Sequence, residues 1–106
     1  MAELKLPSGL QLEPGETIVH TGKDWSVSIP LVLTTRRLIC PSDHSARNVV
    51  AIPLSEIRDV RLRKPLLGFI SVIVDYGEEQ RASFPAHINA ARIREDIREV
   101  LKRQRR

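Results

Sequence analysis

Apolar and polar residues alternate along most of this chain, and the period changes from two to that of a helix near its end. Trp25, Val27, Ile29, Leu31 and Leu33 fall on one side of an extended segment, opposite Ser26, Ser28, Pro30, Val32 and Thr34. This pattern predicts a strand with one buried face, and Pro30, which has no N–H to donate, belongs at an edge or a bulge. Ahead of it, Leu12-Glu13-Pro14-Gly15 signals a turn, Glu16 to Thr21 a short strand, and Gly22-Lys23-Asp24 a loop tip. The run Leu33-Thr34-Thr35-Arg36-Arg37-Leu38-Ile39 reads as a strand, a tight turn and a second strand that continues to Cys40.

Pro41 to Ser45 is a polar loop of turn formers, followed by a strand from Asn48 to Leu54 that ends near Pro53. Ile57, Val60 and Leu62 then point inward and Arg58, Arg61 and Arg63 outward, with the extra residue between Ile57 and Val60 implying a bulge. Lys64 to Gly68 is a turn, and Phe69 to Asp75, apolar on both sides, predicts a central covered strand. Gly77-Glu78-Glu79 turns the chain, and Gln80, Ala82 and Phe84 alternate with Arg81 and Ser83 in a last strand. From Asn89, which reads as the N-cap, Ile93, Ile97, Val100 and Leu101 recur at helical spacing, with Glu99 and Arg103 paired at i,i+4. Seven or so short strands and one helix predict a mainly β domain, a barrel or orthogonal sandwich whose open end the helix caps.

Two segments carry a family resemblance: Thr35-Arg36-Arg37-Leu38-Ile39, and the strand from Ile52 through Ser55-Glu56-Ile57 to Val60. Together they resemble the bacterial PH-like domains and their GRAM-like relatives, and the likeness covers Glu16 to Lys102. The resemblance implies the PH superfold, a noncatalytic binding role, and occurrence as free-standing proteins, as oligomers or joined to membrane segments. On that basis residues 1–15 form an N-terminal extension, 16–104 the PH-like domain, and 105–106 the end of a basic tail. Arg36 and Arg37 then read as turn and strand-surface residues that mark the fold.

A chain of 106 residues forms one domain, and no stretch reaches the roughly 20 apolar residues of a spanning helix. The N-terminus lacks the features of a secretory signal and Cys40 is a lone cysteine, so a cytoplasmic location is expected, with peripheral membrane association as a variant of it. The net charge of +4 resides in Arg98 to Arg106, and the remaining body is neutral. That balance, with four aromatics in mostly apolar registers, argues against specific nucleic-acid readout.

His20, His44, His87 and Cys40 lack zinc-ligand spacing, no nucleophile elbow or phosphate-binding loop occurs, and Glu78-Glu79 sits on a turn, so no catalytic residue, metal or cofactor is expected. Cys40 reads as a small buried hydrophobe. PH domains that grip phosphoinositides use several cations around their first loop, whereas here Lys23 is offset by Asp24, and Trp25 belongs to the core or its rim. Two other surfaces are better candidates. Arg58, Arg61, Arg63 and Lys64 form a basic row leading into Leu66 and Leu67, and Lys102, Arg103, Arg105 and Arg106 form the tail. The expected function is a binding or scaffolding module with a protein partner or self-association. The alternative is peripheral binding to anionic lipids through the same row, apolar loop and tail.

Overall fold

A computed structural model of the chain describes residues 10–43, 48–64 and 70–104. Two antiparallel sheets and one C-terminal helix make up the fold. The first sheet runs in the order β1 (Ile18–Thr21), β2 (Val32–Thr34), β3 (Arg37–Pro41), β4 (Val49–Pro53); the second runs β5 (Ile57–Arg63), β6 (Ser71–Tyr76), β7 (Gln80–Pro85). A short 3-10 turn, Leu54–Glu56, joins the sheets, and a second, His87–Asn89, leads into α1 (Ala90–Gln104). Among the described residues the sheets do not close into a continuous barrel.

Alternation sets the inner faces. Leu33, Leu38, Cys40 and Ile52 from one sheet meet Val60, Val72, Val74, Ala82 and Phe84 from the other in one cluster, closed by Ala90, Ile93, Ile97, Val100 and Leu101 of α1. A smaller cluster lies on the other face of the first sheet, where Leu10, Ile18, Val49 and Ala51 pack on Val32 and Ile39. β6 is the central strand of its sheet, which explains its apolar character on both sides: Val72 and Val74 join the core, while Ile73, also buried, sits between Arg61 and Ser83. The expected bulge appears as a register shift between Ile57 and Asp59.

The long strand expected from Trp25 to Thr34 is shorter than its pattern suggests, since only Val32–Thr34 pairs. Gly22 to Leu31 forms a closed loop instead. Its ends are joined by Gly22 N–H to the Leu31 carbonyl at 2.7 Å, and its turn by Trp25 N–H and Val27 N–H to the Gly22 carbonyl at 3.1 and 2.9 Å. Ser26 takes the left-handed conformation (φ 57°), which no strand accommodates. A Cβ at Gly22 would come within 3.0 Å of the Ile29 carbonyl and 3.2 Å of the Val27 carbonyl, so the loop closes where no side chain intrudes. Trp25 and Leu31 are buried all the same, because the loop folds over the core beneath α1.

Candidate functional site

The polar groups near the β2–β3 turn start with Glu16, whose side chain is fully buried. Its carboxylate accepts from Arg37 Nε at 2.9 Å and Nη2 at 2.8 Å, from Thr34 Oγ1 at 2.5 Å and from Glu13 N–H at 2.8 Å. The Arg37 guanidinium above all holds the Glu16 carboxyl down, from an ordinary 4.5 to about 2. Arg37 also donates to the Gln11 carbonyl at 2.8 Å. Arg37 is thus a largely buried clamp between the N-terminal segment and the turn, rather than the strand-surface residue its sequence position suggests. The signal was weak, because its partner lies 21 positions away.

This clamp fixes the turn and leaves Arg36 outside it. Thr34 Oγ1 accepts from Arg36 N–H and Arg37 N–H at 3.1 and 2.8 Å, Thr35 N–H reaches the Thr17 carbonyl at 2.9 Å, and Leu54 N–H reaches the Arg36 carbonyl at 2.9 Å. From the end of α1, Gln104 Nε2 donates to the Thr35 carbonyl at 2.6 Å. Around this anchored backbone lies an open cleft of about 430 Å³ lined by Thr35, Arg36, Leu54, Ser55 and Gln104. The Arg36 side chain is exposed and has no acidic partner within 4.0 Å among the described residues. A planar guanidinium beside a serine hydroxyl is suited to receiving a carboxylate in a forked hydrogen bond.

Across the Leu54–Glu56 turn lies a second open cleft, of about 620 Å³, lined by Glu56, Gly77, Glu78, Glu79 and Gln80. Gly77, at φ 61°, makes the tight turn, and its N–H donates to the Glu56 carbonyl at 3.0 Å, tying the β6–β7 turn to the 3-10 turn. Two clefts of opposite charge therefore flank one short turn. Among the described residues no group of three or more His, Cys, Asp and Glu is arranged to hold a metal ion.

Among the described residues, the cations of the two expected basic surfaces fall at separate places. Arg58 is exposed at the bulge, and Arg63 and Lys64 are exposed at the far end of β5. Arg61 donates to Asp75 at 2.9 Å, and Arg81 donates to the other oxygen of the same carboxylate at 2.9 Å. Arg61, followed by Arg81, lowers the Asp75 pKa. Arg103 pairs with Glu99 at 3.6 Å, while Lys102 is exposed. Leu66, Leu67, Arg105 and Arg106 lie outside the described residues. α1, roughly 22 Å long, starts beside the end of β7 and finishes at Thr35, so Lys102 and Arg103 lie at the far end of the helix from the sheet end that carries Lys64.

Other polar groups tie elements together. Trp25 is buried and donates from Nε1 to Asp96 of α1 at 2.8 Å, and His20 lies with its ring 5.3 Å from that of Trp25. Asp24 accepts from Thr21 N–H at 2.9 Å and Lys23 is exposed. Arg98 donates to the Val60 carbonyl at 2.8 Å, fastening α1 to β5. Burial pushes the Cys40 thiol up to about 12. Comparison with protein-family models, with curated proteins and with solved structures finds no match to this chain.

Proposed function

We propose that this chain is a noncatalytic PH-like binding module that acts through protein–protein contact. The four-plus-three arrangement of antiparallel sheets with a helix at the C-terminus supports the PH-like reading, as do the Thr35–Ile39 and Ser55–Ile57 segments that frame the join between the sheets. Fold alone does not assign a role, so the reading of function rests on the sites. The polar clusters Glu16–Arg37–Thr34, Asp75–Arg61–Arg81 and Trp25–Asp96, each built round a buried or half-buried group, are internally paired and link separate elements. One observation carries the reading: Arg36 is held by an anchored turn, with no acidic partner within 4.0 Å among the described residues, at the mouth of an open cleft. Such a group is positioned for a carboxylate presented by another protein.

Reconstitution from purified components tests this. The full chain and a protein recovered with it should form a complex of fixed stoichiometry that survives deletion of residues 105–106, which spares Gln104 of the cleft, and is lost with Arg36→Glu. A complex indifferent to Arg36→Glu would contradict the assignment of the surface.

A second reading, peripheral binding to an anionic bilayer in the cytoplasm, is favoured by Ile88. It is 90% exposed at the same end of the second sheet as Arg63 and Lys64, since Arg63 is level with Ser71 and Ser71 with Pro85. An exposed isoleucine at the same end as two exposed cations suits the interfacial region of a membrane. Vesicles of phosphatidylserine and phosphatidylcholine should then bind the chain at low salt and release it at high salt, with binding reduced by Ile88→Ser or by Leu66→Ser/Leu67→Ser. No binding at low salt ends that reading.

A further inference from the structure

We infer that the Arg36 cleft receives the acidic β6–β7 turn of a second copy of this chain, giving a two-fold dimer centred on the Leu54–Glu56 turn. The inference rests on the protein-binding reading above and names the partner. Three observations lead to it. The cleft offers an exposed guanidinium with no acidic partner within 4.0 Å among the described residues, and Ser55 and Gln104 line the cleft with it. Glu78 and Glu79 stand exposed on a tight turn and, among the described residues, have no basic partner within 4.0 Å. The two surfaces meet at consecutive residues, because Ser55 lines the basic cleft and Glu56 the acidic one.

That adjacency selects the occupant. Because the two clefts border consecutive residues of one turn, the proposed dimer has its two-fold axis beside that turn and sets each basic cleft against the acidic turn of the other copy. The contact is isologous, so it closes at two copies instead of propagating. Both turns are fixed in place by backbone hydrogen bonds, from Leu54 N–H to the Arg36 carbonyl and from Gly77 N–H to the Glu56 carbonyl, which limits the ordering cost of association. Exposed charge pairs at a rim are individually weak and screened by salt, so the dimer is a low-affinity, salt-sensitive one.

Sedimentation velocity on the full chain tests this. In ~20 mM salt the mean mass should rise toward that of a dimer as the protein approaches ~1 mM, and return to monomer in ~0.5 M salt. Arg36→Glu leaves a protomer acidic on both sides of the turn, and Glu78→Lys/Glu79→Lys one that is basic on both sides. Each should be monomeric alone, and the two mixed should form a 1:1 heterodimer at least about tenfold tighter than the wild-type dimer. Trp25 emission reports whether each variant is folded. Should one fail to fold, Arg36→Gln and Glu78→Gln/Glu79→Gln remove the charges without reversing them, and should each weaken the wild-type dimer about tenfold. Wild type that stays monomeric throughout, or a mixture of folded charge-reversed variants that does not associate, overturns the inference. A monomeric wild type that still forms a stoichiometric complex with another protein overturns it while leaving the protein-binding reading in place.

Discussion

Replacing Glu16 with glutamine should destabilise the protein substantially and alter how its stability depends on pH. The carboxylate is fully buried and bound twice by Arg37, whose own side chain is 14% exposed. Glutamine keeps the shape but leaves the guanidinium without its counter-charge. Breaking a buried pair from one side costs roughly 3–5 kcal/mol. Because Arg37 reaches some solvent and retains the Gln11 carbonyl at 2.8 Å, about 2–4 kcal/mol is expected here. The titration supplies a second figure. A carboxyl carried from 4.5 down to about 2 in the folded state corresponds to roughly 3 kcal/mol of stability at pH 7. Its folded value is depressed, so this stability is fully present above pH 4.5 and is lost as the pH falls from there toward 2. Urea unfolding followed by Trp25 emission, at pH 7 and at steps down to pH 2.5, measures both effects. The wild type should lose stability steeply below pH 4.5, and Glu16→Gln should lack most of that slope, so that the two converge in acid. A loss under about 1 kcal/mol at pH 7, with unchanged acid dependence, would refute the reasoning.

Other consequences follow from the same contacts. The single tryptophan is buried, so native emission should be blue-shifted, and Trp25→Phe, which removes the bond to Asp96, should cost roughly 1.5–3 kcal/mol in urea unfolding. Cys40, buried with its thiol pushed up to about 12, should react with a thiol reagent only after unfolding; stoichiometric labelling of native protein at pH 8 would contradict the packing. Phe84→Ala opens a cavity where the two sheets and the helix meet, and should cost about 3–5 kcal/mol by the same assay. Arg61→Ala removes one of two partners of Asp75 at a 40% exposed position and should change stability by less than about 1 kcal/mol.

Alternation made β5 and β7 legible from the residues alone, because each commits one face to the core, while β3 and β6, buried on both faces, were legible as short apolar runs between turns. The helix was legible for the same reason, through Ile93, Ile97, Val100 and Leu101. The Trp25 to Leu31 stretch imitated a strand because a closed loop folded over a core also buries every second or third apolar residue. The polar contacts were not legible, since they join residues far apart in the chain. Trp25 meets Asp96 across 71 positions and Gln104 meets Thr35 across 69, and neither has a local signature. Arg36 and Arg37 are the sharpest instance. They are adjacent and chemically alike, yet Arg37 turns inward to Glu16 while Arg36 is exposed at a cleft, a division set by the tertiary partner and not by their shared sequence context.

The contacts proposed for this chain lie at the end marked by the Leu54–Glu56 turn. Backbone amide NMR spectra of the full chain, recorded at low salt over a concentration series, test this placement most directly. Shifts should concentrate at Arg36, Ser55, Gly77, Glu78 and Gln104, grow with protein concentration, and vanish in high salt. Shifts that are absent, or that gather instead around Arg63, Ser71 and Ile88 at the other end, would contradict it.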